Sequence, residues 1–244
     1  MAAALLHLDG VVAGYGRGNV LRGATLGVEE RQITCLIGPN GAGKSTVLKA
    51  VSGLLRVKEG TVSLRGEDIT GLSPQAILGH GVVHVPQERS LFPSMTVWDN
   101  VLMGGFILRD RAMVRRRAEE VAERFPIVAR RRNSRAGSLS GGEQKIVEIA
   151  RAFMLDPVVI LMDEPSTGLD PTARHTVFGM ITQIHESGGT VLLVEQNARS
   201  GLAIAHQGAV MESGVIRLQG TGASLLENPE VARLYLGTAG AGVA

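Results

Sequence analysis

Cysteine is almost missing from this chain. Cys35 is the one thiol in 244 residues, so no disulfide can close within the chain and a disulfide-stapled secreted domain is excluded. Aromatic residues make up only 3%. No apolar run approaches the ~20 residues that a membrane-spanning helix needs, and the longest useful one, Val158–Met162, is strand-sized. The six histidines show no metal-ligand spacing, so no structural zinc is expected. The first residues, Met1-Ala2-Ala3-Ala4-Leu5-Leu6-His7, lack the basic start and long apolar stretch of a signal peptide. The expectation is a cytoplasmic chain that reaches any membrane process through a partner.

A strong charge of one sign is missing too. The 25 Lys and Arg nearly balance 23 Asp and Glu, for a net charge of +2. A nucleic-acid protein carries a larger basic excess, so no nucleic-acid partner is expected. The basic bias is local: ten Arg and four acids lie between Arg109 and Arg135, a pattern that fits the solvated face of a helix.

What is present is an ordinary core composition, 44% hydrophobic, enough for one large domain or a domain with an insertion. Short strand-like runs recur at Leu5–Val12, Ile33–Ile37, Thr61–Leu64, Val82–Val85, Val158–Met162, Thr190–Val194, Ala209–Met211 and Val215–Gln219. Several are continuously apolar, as strands covered on both faces are. Helical patterns at Ser45–Leu55 and Thr172–His185 lie between them. This alternation predicts an α/β fold with a mostly parallel central sheet. The early and late strands with glycine turns, such as Glu212-Ser213-Gly214, suggest an added antiparallel β part. From Met95 to Leu155 no convincing strand occurs, and Arg109–Phe125 reads as an exposed helix. The expected organisation is a core in two parts, residues 1–87 and 156–244, with an inserted helical subdomain at 88–155. The small residues Gly237 to Ala244 read as a frayed end.

Gly38-Pro39-Asn40-Gly41-Ala42-Gly43-Lys44-Ser45-Thr46 matches G-x-x-x-x-G-K-[ST]. A strand-like run precedes it and an amphipathic helix follows, which is the setting the motif requires. Glycines let backbone N–H groups converge on phosphate oxygens, and the helix N-terminus favours an anion. Lys44 is expected on the β- and γ-phosphates and Ser45 on Mg2+. This motif alone is shared by kinases, GTPases and many ATPases.

Val158-Val159-Ile160-Leu161-Met162-Asp163-Glu164 is an apolar strand ending in two carboxylates. Asp163 fits a place beside Mg2+, and Glu164 fits a general base on an attacking water. Ser138-Leu139-Ser140-Gly141-Gly142-Glu143-Gln144 opens a helix with Ile146, Ile149, Ala150 and Phe153 on one stripe. Ser140 reads as a helix cap, and also as the head of a second helix N-terminus aimed at phosphate.

These segments resemble the ATP-binding cassette (ABC) ATPases. Leu139–Gln144 is similar to their LSGGQ signature, with Glu143 before Gln144. Gly38–Thr46 resembles their Walker A, Val158–Glu164 their Walker B, and Ser166-Thr167-Gly168-Leu169-Asp170 their D-loop. Gln87, in Val85-Pro86-Gln87, resembles the Q-loop glutamine, and Tyr15, flanked by Gly14 and Gly16, sits where the family stacks an aromatic on adenine. The resemblance implies ATP and Mg2+ as ligands, with Ser45, Gln87 and Asp163 around the metal through nucleotide and water. It implies that Glu164, Gln196, Gln87 and Asp170 serve hydrolysis. Ser140, Gly141 and Gly142 would bind the γ-phosphate of ATP held by a second ATPase subunit, so that hydrolysis needs a head-to-tail homo- or heterodimer. Gln87 would join the core to the helical part, which in transporters receives a coupling helix from a membrane permease.

Three segments narrow the resemblance: Val85–Val97, Leu193-Val194-Glu195-Gln196-Asn197-Ala198, and the tail from Gly220 through Leu234-Tyr235-Leu236-Gly237. They are similar to the LivF-like ATPase subunits of branched-chain amino-acid importers. Such a subunit implies two permeases, a substrate-binding protein that delivers cargo, and a place on the inner face of the cell membrane. Urea and amide importers, lipid exporters and soluble ATPases of the Fe–S assembly type are the alternatives. Gln196 stands where most of the family has a switch histidine. An amide can donate and accept a hydrogen bond but carries no proton to or from the reaction, so weaker hydrolysis is expected than with histidine. His206, where relatives often carry Asp, reads as a loop-packing histidine.

Overall fold

The structure is a computed structural model that describes residues 4–236. The stretch Gly237–Ala244, including the last residue of the tail resemblance, lies outside the described residues. In chain order the strands are β1 (Leu6–Ala13), β2 (Leu21–Val28), β3 (Ile33–Ile37), β4 (Val57–Leu64), β5 (Glu67–Asp68), β6 (Val82–Val85), β7 (Val159–Asp163), β8 (Val191–Glu195), β9 (Gln207–Glu212) and β10 (Val215–Thr221). The helices are α1 (Lys44–Val51), α2 (Pro74–Gly79), α3 (Val97–Met103), α4 (Arg111–Arg124), α5 (Pro126–Arg130), α6 (Gly141–Ala152), α7 (Pro171–Glu186), α8 (Ala198–Ile204) and α9 (Gly222–Glu227).

The larger sheet has the order β10-β9-β3-β8-β7-β6. Its members from β9 to β6 are parallel, and β10 is antiparallel to β9. A smaller antiparallel sheet, β2-β1-β4-β5, packs against it, with Arg22 N donating to Gly214 O at 3.0 Å. This is the expected α/β architecture with an antiparallel addition. Strand β2, the two-residue β5 and the first half of β4 escape the sequence pattern. The apolar residues of β2 fall out of step around Gly23 (φ 86°), where its pairing with β1 shifts register. The first half of β4, Val57–Gly60, is mostly exposed and polar.

The uniformly apolar strands serve two cores at once. Side chains alternate across a strand, so Ile33, Cys35, Ile37, Ile160, Met162, Val191 and Leu193 pack toward α3, α6 and α7. Their neighbours Leu36, Val159, Leu161, Leu192 and Val194 pack toward α1 and the small sheet. Each such side chain is essentially removed from water, worth about 1.5–3 kcal/mol apiece. In this way β3, β7 and β8 are gripped from both faces.

Between β6 and β7 the chain forms helices. The Asp110 side chain caps α4 by accepting from Ala112 N, and only Ala118, Val121 and Ala122 of that helix are buried. Its arginines face outward, where Arg117 reaches Asp156 at 3.4 Å, and its Glu119 is met at 2.7 Å by Arg132 from beyond α5. Exposed pairs of this kind contribute at most about 1 kcal/mol each. His206 Nδ1 accepts from Ile33 N at 3.2 Å, and its ring lies 4.2 Å from that of His185. Burial and His185 lower its pKa, which keeps that nitrogen free to accept. Among the described residues no helix is long and apolar enough to cross a membrane.

Candidate active site

The C-terminal ends of β3, β6, β7 and β8 deliver one functional segment each, as ligand sites in parallel sheets generally require. After β3 the backbone turns tightly at Gly38, where a Cβ would sit 2.2 Å from the Met211 carbonyl oxygen. Only glycine fits there. Gly43, at φ 108°, then starts α1 with no side-chain cap, which leaves the first backbone N–H groups of the helix without a side-chain acceptor. Lys44, 5% exposed, folds back over this loop. Its Nζ donates to the carbonyls of Gly38 (2.9 Å) and Pro39 (3.2 Å) and lies 3.5 Å from Glu164 Oε1.

Ser45 Oγ donates to Asp163 Oδ1 at 2.9 Å. Burial raises the Asp163 pKa, the Ser45 hydroxyl opposes this, and the neighbouring Glu164 charge adds to it. The chain bends sharply at Glu164, which takes φ 42° although it carries a side chain. A conformation costing of order 1 kcal/mol or more is held only where surroundings enforce it. Here the enforcement is visible. Glu164 N donates to Val194 O (2.9 Å), while Oε2 accepts from Gln87 Nε2 (3.0 Å) and Thr167 Oγ1 (3.1 Å). Gln87 thus touches the carboxylate directly. Gln196, exposed at the end of β8, completes the wall of a cavity of about 650 Å3 with Asn40, Gly41, Lys44, Ser45, Gln87 and Glu164. Thr46, largely buried, also lines the cavity, and Ala42 O accepts from Gly214 N at 2.8 Å.

Not every sequence-derived candidate enters this cavity. Tyr15 stands 55% exposed on the loop between β1 and β2, with its hydroxyl 3.4 Å from Lys49 Nζ on α1. Lys58 Nζ fixes that loop through Gly16 O, Gly18 O and Asn19 Oδ1. Ser140, Gly141 and Gly142 head α6 elsewhere, with a reciprocal cap between Ser140 and Glu143. Asp170 caps α7 through Thr172 N and Ala173 N. These two helix starts abut: a Cβ on Gly142 would come within 2.8 Å of Ala173 Cβ. The signature and the end of the D-loop at Asp170 therefore meet, outside the lining of the cavity that holds Lys44, while Thr167 of the same D-loop reaches into that lining.

Four groups to which the sequence assigned no role turn out to organise the site. Thr167 holds Glu164, as above. Lys145 and Glu148, both on α6 and both buried, meet at 2.6 Å. Lys145 Nζ also donates to the carbonyls of Pro86 (3.2 Å) and Gln87 (3.4 Å). Glu195 is fully buried and accepts from Ser166 N and Oγ. Burial drives its pKa up to about 7 against the opposing pull of the Ser166 and Asn197 donors. The one available signal for Glu195 was an acid continuing an apolar strand, a place where a carboxylate needs partners.

Among the described residues no group of three or more His, Cys, Asp or Glu could hold a metal ion unaided. The oxygens of Ser45 and Asp163, in contact at the cavity edge, suit an ion that draws its other ligands from phosphate and water, the habit of Mg2+.

A glycine-built phosphate cradle, a buried lysine and paired carboxylates on a parallel sheet define a P-loop nucleotide hydrolase. Its segment 21–167 matches the ABC transporter family. The chain belongs to that family and is an ATPase subunit of a transporter. It is 40% identical over 233 residues to the high-affinity branched-chain amino acid transport ATP-binding protein BraG of Pseudomonas aeruginosa, covering 96% of this chain and 100% of BraG. It is 35% identical over 237 residues to the lipopolysaccharide export system ATP-binding protein LptB of Escherichia coli K12, covering 96% and 98%. The ADP conformation of the cassette MJ1267 superposes with a TM-score of 0.86 at 30% identity, over 96% of this chain and 98% of that one. A dimeric cassette, MJ0796 in a post-hydrolysis state with ADP and Pi, gives 0.76 at 25% identity, over 88% and 98%.

Proposed function

We propose that this chain is the ATP-hydrolysing subunit of an importer for branched-chain amino acids, working as one of two cassettes on the inner face of the membrane. The observation that carries the reading is the convergence of Lys44, Ser45, Glu164, Gln87 and Gln196 on one cavity, with Asp163 bonded to Ser45 behind its wall and Ser140–Gly142 outside it. Half of a phosphate site faces its own cavity, and a second helix N-terminus is presented to a neighbour. Two copies, or this chain and a similar one, arranged head to tail would complete each site from the other.

In the complete site Lys44 and the loop N–H groups hold the β- and γ-phosphates, and Tyr15 stacks on adenine. Ser45 and Asp163 would hold Mg2+, with Gln87 contributing through water, and the ion would supply positive charge against the charge developing on phosphate. Lys44 exchanges Glu164 for phosphate oxygens. Glu164, still oriented by Gln87 and Thr167, accepts the proton of the water that attacks the γ-phosphate. Gln196 donates a hydrogen bond to that phosphate, and Asp170 sets the partner-facing turn.

The same Gln87 leads into the helices, where Val83, Val85, Phe92, Met103, Phe106 and Leu155 line a mainly apolar cavity of about 460 Å3. Phe106 is 65% exposed there. This surface suits a segment of a membrane permease, through which closure of the cassettes reaches the transport path. A substrate-binding protein would act on the far side. Importer function is favoured over lipid export by the higher identity to BraG and by Gln196 in place of the switch histidine.

Glu164→Gln tests the composite site. With ATP and Mg2+ the variant should form a stable dimer, alone or with its partner cassette, and hydrolyse nothing. A variant that binds ATP yet stays monomeric under both conditions refutes the shared site. Co-purification with two permeases and a binding protein for leucine, isoleucine or valine tests the importer reading.

A further inference from the structure

Glu195 has no part in the scheme above, yet it is the most deeply buried acid in reach of it. It closes β8, with Gln196 immediately after it in the cavity wall. Its Oε1 accepts from Ser166 N at 3.2 Å and its Oε2 from Ser166 Oγ at 3.0 Å. Ser166 is itself buried, two residues beyond Glu164 and next to Thr167. A bidentate grip of this kind fixes both distance and orientation. It joins the turn after β7 to the end of β8, alongside the backbone bond from Glu164 N to Val194 O.

We propose that Glu195 is a positioning residue for hydrolysis: by clamping Ser166 it sets the separation between the Glu164–Thr167 pair and Gln196 across the phosphate. It touches neither nucleotide nor water. One side of Glu195 is closely packed: a Cβ on Gly201 would lie 3.1 Å from Glu195 Cβ and 2.7 Å from Cys35 Sγ. Reaction rates fall steeply when a catalytic group is displaced by about 1 Å, whereas phosphate binding depends on Lys44 and the loop after β3, which the clamp does not touch.

The inference rests on the roles given to Glu164 and Gln196 above. The test is steady-state ATP hydrolysis by the full chain, with its partner cassette where one is required. Ser166→Ala removes one arm of the clamp at little risk to folding, and Glu195→Ala removes both. Ser166→Ala should lower kcat severalfold and Glu195→Ala about tenfold or more, each with KM for ATP within about twofold of wild type. The double variant should be no slower than Glu195→Ala alone, because both act through one contact. Glu195→Gln, whose amide can still pair with the Ser166 hydroxyl and N–H, should recover most of kcat. Should Glu195→Ala not fold, Ser166→Ala and Glu195→Gln carry the test. Wild-type kcat in Ser166→Ala, or KM rising in step with any loss, overturns the proposal. Glu164→Gln serves as the control: if that variant still turns over, the scheme of the preceding subsection has failed, independently of the clamp.

Discussion

Replacing Lys145 with methionine should destabilise the protein by about 3 kcal/mol, the lower end of the 3–5 kcal/mol cost of breaking a buried ion pair. Lys145 and Glu148 are one turn apart on α6, with side chains 8% and 1% exposed. Their 2.6 Å contact is an ion pair whose geometry is not that of an aligned hydrogen bond, since Glu148 Oε2 has no hydrogen-bond partner. Without the ammonium, Glu148 keeps Ser90 N as a donor at 2.6 Å, but its charge stays buried. The Pro86 and Gln87 carbonyls also lose their donor, at about 1–3 kcal/mol for each that water cannot reach. The Arg151 guanidinium is close enough to feel Glu148, which argues for the low end. Adding Glu148→Gln removes the stranded charge and keeps an acceptor for Ser90 N. The double variant should then lie only about 1–2 kcal/mol below wild type, since neutralising both members of a buried pair is far cheaper than breaking it. Urea unfolding followed by circular dichroism gives the free energies. Thermal melting of the single variant should fall by about 6–12 °C, at roughly 2–4 °C per kcal/mol for a chain of this size. A double variant that loses the sum of the two single losses, or a Lys145→Met protein that melts with wild type, refutes the assignment.

Two further outcomes follow from groups described above. Gln196→His should hydrolyse ATP faster, by roughly tenfold or more if the imidazole moves a proton, and a variant slower than wild type in steady-state turnover contradicts the reading of that position. The pH dependence of stability should carry the mark of Glu195. Its folded pKa of about 7 stands above the ordinary 4.5, so the folded state holds this proton more tightly. That contribution is complete below pH 4.5, shrinks as pH rises, and is gone above 7, a change of about 3 kcal/mol. Glu195→Gln lacks it, so the variant should gain on wild type by that order between pH 4.5 and 8 in urea titrations, and a constant difference would be the opposite result.

The parallel strands were legible because a continuous apolar run of five residues has few alternatives once glycines bound it. The antiparallel addition was half legible: β1 and β10 alternate, but β2 hides its alternation behind the shift at Gly23, and the start of β4 is polar because it is exposed. Helix α1 ends at Val51, short of the expected Leu55, where Ser52 leaves the helix and Gly53 turns at φ 72°. In the site, Lys44, Ser45, Asp163 and Glu164 were readable because their spacing within a few residues is itself the chemistry. Lys145, Glu148 and Glu195 were not, since each acts on a backbone group 29 to 59 residues distant. Such pairings exist only once the sheet is assembled, and nothing local announces them.

The sharing of β3, β7 and β8 between two cores has a consequence for how the molecule breathes. Opening either core alone leaves these strands packed by the other, so their amides should exchange with solvent only on global unfolding. The elements that carry Phe106 and the arginines of α4 are fastened to one core and can open at lower cost. Lys44, Glu164 and Gln196 issue from the doubly held strands. The groups proposed to act in hydrolysis are thus rooted in what should be the slowest-opening unit of the protein, and the surface proposed for a partner belongs to the part that should yield first.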